Sequence, residues 1–154
     1  MGKIVIRYER HYERPVDVVR SHFGDIAHHA RRGVHKGLAF EILSDSPAEC
    51  RYLQRTRILG MAQEDEVVLR RADGKVVMDV VRGTNHGTHF DFSFFPDGAG
   101  TRLRLELTVP TSGLKALLQP LFRRALYRIV DAAAEEDRVD LEERGYAPAA
   151  RQAA

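Results

Sequence analysis

The hydrophobic positions change their spacing several times along the chain, and each change marks an element. Over residues 4–12, Ile4, Ile6, Tyr8 and Tyr12 alternate with Arg7, Glu9 and His11, the period-two pattern of a half-buried strand. Val16, Val19 and Phe23 then recur at helical spacing, with Pro15 suited to the first turn and Gly24 to the end. A second short helix or loop follows, closed by Gly33 and Gly37. Six segments between Ala39 and Val109 read as strands: LAFEILSD, ECRYLQRTRILG, EDEVVLRRA, KVVMDVVRG, THFDFSFF and TRLRLELTV. Asp45-Ser46-Pro47, Asp73-Gly74, Asn85-His86-Gly87 and Pro96-Asp97-Gly98 supply the turns, and such short links predict an antiparallel meander.

The last pattern is a long amphipathic helix, about residues 111–144. Leu114, Leu117, Leu118, Leu121, Phe122, Leu126, Ile129, Val130 and Ala133 form its apolar stripe. Thr111 or Ser112 is placed to cap it, and Pro120 to kink it or to end a preceding turn near Gln119. Gly145 is expected to stop it, giving one domain over 1–145 and a flexible C-terminal tail over 146–154. The predicted fold is α+β: a curved antiparallel sheet of about seven strands wrapped around a long C-terminal helix, with two short helices after strand 1.

Composition narrows the classes. A chain of 154 residues, 44% hydrophobic and 30% charged, suits one globular domain with a sizeable core. The net charge of +2, with acids and bases well mixed, gives no footprint for nucleic acid. No apolar run reaches membrane-spanning length, and the opening MGKIVIRYER turns polar too early for a secretory signal. One cysteine, Cys50, excludes an internal disulfide, so a cytoplasmic location is expected.

The opening strand running into RPVDVV, and GTRLRLELTVP running into a terminal helix, resemble the START-like, Bet v 1-like superfamily, also called the SRPBCC or polyketide cyclase/dehydrase group. The resemblance covers about residues 3–144 and is architectural. It implies a helix-grip fold with a deep apolar cavity between sheet and terminal helix. It also implies an apolar, aromatic or polyketide-like small-molecule ligand, either cyclised or dehydrated by His acid–base chemistry or merely carried. Candidate lining residues are Tyr52, Met78, Phe90, Phe92, Phe94 and Leu103. The strand after Cys50 offers either Tyr52, Gln54 and Thr56 or, on its other face, Leu53, Arg55 and Arg57. Arg55 and Arg57 would bind a carboxylate or enolate oxygen if they faced inward. An exposed strand edge would support a homodimer.

The densest chemistry lies in DIAHHARRGVHKG, with candidate catalytic residues His28, His29 and His35. Asp137 falls on the apolar stripe of the terminal helix, where a charge needs a partner. Asp25-Ile26-Ala27-His28, with this acidic helix end, is similar to the iron-binding motif of the catalytic domain of Rieske-type oxygenases. The second histidine of that motif would fall at Gly33, two residues before His35. That resemblance implies a metal-dependent oxygenase with iron or zinc held by His28 or His29, His35 and Asp137. Adjacent histidines diverge by about 100° on a helix, so only one of His28 and His29 is expected to share a site with His35. A polar helix-loop at the cavity mouth, its imidazoles paired with Asp25 or terminal-helix acids, is the alternative. His11, His22, His86 and His89 are left outside the site.

Overall fold

Residues 2–58 and 60–149 are described by the computed structural model. Alternation along seven segments yields the strands β1 (Gly2–Tyr12), β2 (Leu38–Asp45), β3 (Glu49–Ile58), β4 (Met61–Ala72), β5 (Lys75–Gly83), β6 (His89–Asp97) and β7 (Gly100–Thr111). They form one antiparallel sheet in the order β1-β7-β6-β5-β4-β3-β2. The meander from β2 to β7 is the expected one. The pairing of β1 with β7, Ile4 opposite Val109 and Tyr12 opposite Thr101, joins the two ends of the chain. It leaves β1 and β2 as the edges. Two short helices, α1 (Val16–Phe23) and α2 (Ile26–Arg32), fill the β1–β2 connection.

The terminal helix is broken where the sequence anticipates a disturbance. Leu118 (φ −100°, ψ 27°) separates α3 (Gly113–Leu117) from α4 (Gln119–Arg138), and Pro120 sits in the first turn of α4, where its missing N–H costs nothing. Ser112 takes the position before α3 but makes no capping hydrogen bond with its side chain. Beyond α4 the chain widens through Val139–Glu143, where the Arg144 N–H reaches five residues back to the Val139 carbonyl at 2.9 Å. The apolar stripe is only partly buried. Phe122, Leu126 and Val130 pack on the core, whereas Leu114, Leu117 and Leu121 stay about two-thirds exposed or more. The break at Leu118 redirects the helix, so one stripe in sequence becomes two faces in space.

The sheet curves around α4, which three polar contacts tie to β1. Tyr8 Oη donates to Asp131 Oδ1 at 2.7 Å, Tyr12 Oη donates to the Ala134 carbonyl at 3.3 Å, and Arg10 pairs with Glu135. Arg14 donates to the carbonyls of Leu141 and Tyr146, satisfying acceptors that a helix end leaves open. The core is built from Ile4, Leu69, Leu103 and Leu141, each essentially without exposure. Each such side chain contributes about 1.5–3 kcal/mol relative to staying in water.

Gly83 marks a point where β5 closes tightly on β4. Its φ is +118°, and a Cβ there would lie 2.3 Å from the Glu64 carbonyl oxygen. Asp65 pairs with Gly83 just before the register shift between Glu66 and Val67. Gly83→Ala is therefore expected to cost about 1–3 kcal/mol, read as a lower midpoint in urea unfolding at unchanged slope. An unchanged midpoint would contradict the close approach.

Candidate active site

Asp25 starts the site by starting α2. Its Oδ1 accepts from the His28 backbone N–H at 3.0 Å, the side-chain cap of the helix. The Asp-x-x-His spacing is thus explained here by capping, since a cap bonds the backbone three residues on. Gly33, with φ +57°, ends α2 in the left-handed conformation and lets the chain turn back at His35. His28 and His29 leave α2 in different directions, as consecutive helical residues must. Facing them, the end of α4 and the wide turn after it present Glu136, Asp137 and Asp140.

Asp140 gathers two imidazoles: its Oδ2 accepts from His22 Nε2 at 2.9 Å and from His28 Nε2 at 2.7 Å. Asp137 Oδ1 is approached by three more ring nitrogens, His35 Nε2 at 3.3 Å, His29 Nε2 at 3.4 Å and His22 Nδ1 at 3.9 Å. His29 Nδ1 donates to the Asp25 carbonyl at 2.8 Å, and His35 Nδ1 donates to Glu136 Oε2 at 3.0 Å. Tyr146 Oη donates to Asp25 Oδ2 at 2.9 Å, and its ring lies edge-on to those of His22 and His28. The cluster is deep: His22 is fully buried, and His29, Asp137 and Asp140 are nearly so.

Burial and charge pull these groups in opposite directions. Burial pushes His22 below the ordinary imidazole range, so it is neutral and its Nε2–H donates to Asp140. Burial opposes charge on His29 as well, but the bond to Asp137 and that carboxylate's charge raise it overall. Burial alone would raise Asp140; the donations from His22 and His28 outweigh it and hold the carboxyl well below the usual carboxylate range.

Behind this cluster lies a cavity of about 300 Å³ between the sheet and α4. Tyr52, Met78, Phe90, Phe92 and Leu103 line it, with Leu126 and Val130 from the helix. His29, His35 and Asp137 form part of its wall. On β3, Tyr52, Gln54 and Thr56 are the inward set. Arg55 and Arg57 are exposed on the opposite face, and Arg55 pairs there with Glu41 and Glu64, so neither reaches the cavity. Strand alternation decides this: a buried Tyr52 fixes every odd-numbered neighbour outward. Phe94 is buried against Phe23 and does not line the cavity.

Of the expected site residues, His29, His35 and Asp137 come together, while His28 turns to Asp140. His22, left outside the site by the sequence reading, belongs at its centre. It sits at i+3 from Val19 and at i−4 from Ile26, on the buried side of α1, a signal the sequence does contain. Asp140 likewise stands at i+3 from Asp137. Tyr146, expected in the tail, is buried in the cluster instead; residues 150–154 of that tail lie outside the described residues. Asp65, also missed, lines the cavity as well and accepts from the Asn85 N–H and Nδ2 at 2.8 and 2.7 Å. Two groups bring ligand atoms within 4.8 Å of one another: His22, His29 and Asp137, and His22, His28 and Asp140.

No protein-family model matches the sequence, and no curated protein sequence does either. Solved structures do match in fold. The protein TTHA0849 from Thermus thermophilus superposes with a TM-score of 0.80 at 18% identity, over 93% of this chain and all of that one. A START superfamily protein from Mycobacterium smegmatis gives 0.74 at 15%, over 92% of this chain and 99% of that one. The aromatase/cyclase ZhuI from Streptomyces sp. R1128 gives 0.70 at 12%, over 95% of this chain and all of that one. The fold is therefore the START-like helix grip. Among the described residues, no helix is long and apolar enough to cross a membrane.

Proposed function

We propose that this START-like chain binds an apolar, aromatic or polyketide-like small molecule and promotes its cyclisation or dehydration by proton transfer. The observation that carries the reading is the junction of an apolar cavity of about 300 Å³ with a wall of His29, His35 and Asp137. A pocket of that size and character takes a ring-bearing ligand and orients it by a few polar groups. Its carbonyl end would meet the imidazoles. One removes a proton from the carbon beside a carbonyl, the enolate carbon bonds to a second carbonyl, and another returns a proton to the new alkoxide. Loss of water then completes a dehydration. The aromatase/cyclase neighbour supports the class by fold alone. A cytoplasmic location belongs to the same reading, since Cys50 is the one cysteine and no internal disulfide can form.

Titration of 2-naphthol, followed by its own fluorescence, tests the ligand class. Saturable one-to-one binding is expected. Emission that rises linearly without saturating would overturn the reading.

A further inference from the structure

Three imidazoles around Asp137 are each held from behind. His22 gives its Nε2–H to Asp140, His29 gives its Nδ1–H to the Asp25 carbonyl, and His35 gives its Nδ1–H to Glu136. Backside acceptors of this kind fix the tautomer. On neutral rings the remaining nitrogens, His22 Nδ1, His29 Nε2 and His35 Nε2, are lone pairs, and all three lie within 3.9 Å of Asp137 Oδ1. Acceptors gathered in a buried space need a cation among them, and without a metal a proton on His29 Nε2, donated to Asp137 Oδ1 at 3.4 Å, fills that role. His22 Nδ1 is the sharpest case, fully buried and without any hydrogen-bond partner.

The spacing suits a first-row metal ion. Zinc–nitrogen and zinc–oxygen bonds of about 2.0–2.1 Å at tetrahedral angles separate neighbouring ligand atoms by about 3.3 Å. Asp137 Oδ1 stands 3.3 Å from His35 Nε2 and 3.4 Å from His29 Nε2, with His22 Nδ1 at 3.9 Å. The contacts around Asp140, at 2.9 and 2.7 Å, are instead hydrogen-bond lengths. We propose that His22, His29 and Asp137, whose ligand atoms lie within 4.8 Å of one another, bind one divalent first-row metal ion, zinc or iron, with Asp140 and the Asp25 carbonyl as the supports behind the two imidazoles and His35 beside the site. Two imidazoles and one carboxylate suit either ion and leave coordination positions open. His28, expected as a ligand from sequence, is a partner of Asp140 and lies outside this set. The ion would stand on the cavity wall, where it would polarise a ligand's carbonyl while His35 stays available for proton transfer. Metal binding goes beyond the ligand reading and does not depend on it.

The test uses the full chain without a histidine tag, stripped with chelator and titrated with Co²⁺, then with Zn²⁺ in competition. One equivalent of Co²⁺ with the visible absorption of a four- or five-coordinate site is expected, displaced by Zn²⁺. Stoichiometric Zn²⁺ should also raise the melting temperature of the unaltered chain, a readout independent of any variant. His22→Gln and Asp137→Asn should each weaken Zn²⁺ by more than ~100-fold, and Asp140→Asn by ~10–100-fold through the loosened His22. His28→Gln should change affinity by less than about threefold. Failure of the unaltered chain to hold one equivalent, or a folded His22→Gln chain binding as tightly as the original, would overturn the metal site. Saturable 2-naphthol binding by the stripped protein would leave the ligand reading standing in that event.

Discussion

Replacing Asp140 by Ala is expected to remove about 3–5 kcal/mol of folding free energy, a large share of the roughly 5–15 kcal/mol a domain of this kind holds. Asp140 Oδ2 is the acceptor for both His22 and His28, and His22 has no contact with solvent. Without the carboxylate the buried His22 Nε2–H loses its partner, while its Nδ1 has none already. The full desolvation cost of the ring then falls on the folded state. Asp140→Asn keeps an acceptor oxygen but only one, so it should cost less. Chemical denaturation with CD detection checks both, and an Asp140→Ala midpoint equal to the original would contradict the account.

A larger effect on binding, with little effect on folding, is expected at Leu105. This β7 residue lines the cavity beside Leu103 and Leu107 and pairs across the sheet with Tyr8 and Phe92. Leu105→Trp places an indole in the space a ligand would occupy. The cavity can take up the added volume, so the usual overpacking penalty of about 1–3 kcal/mol should be at its low end. Affinity for 2-naphthol should fall by ~100-fold, equivalent to about 2.7 kcal/mol. Arg55→Ala is the control. On the outer face, paired with Glu41 and Glu64, it should leave affinity unchanged. Equal losses in the two variants would mean the ligand sits elsewhere.

Most of the architecture was legible because it rests on local patterns. LAFEILSD and KVVMDVVRG coincide with β2 and β5 residue for residue, since alternation and a turn bounded each of them. The pairing of β1 with β7 was not legible, because nothing local joins residues some hundred positions apart. The inward face of β3 stayed open for a related reason. Arg55 and Tyr52 are both compatible with a strand, and only the partners across the sheet choose between them. At the site, Asp137 was found because an acid interrupted an apolar stripe. His22 interrupts one too, between Val19 and Ile26, but α1 is too short for its stripe to stand out. Tyr146 carried no signal at all. It follows the helix-ending Gly145, and its burial depends on His22 and His28 meeting from the other end of the chain. The Asp-x-x-His spacing has a second physical use, because a helix cap shares it: Asp25 Oδ1 accepts from the His28 N–H.

A cavity whose wall carries chemistry should convert its ligand, and turnover tests that most directly. A linear poly-β-ketone thioester would be incubated with the full chain and with the His29→Ala/His35→Ala double variant, and the products separated by liquid chromatography with mass detection. Cyclised product, one water lighter, is predicted from the original chain and not from the variant. Ketone bound by the original chain but recovered unaltered would contradict the chemistry and leave a carrier.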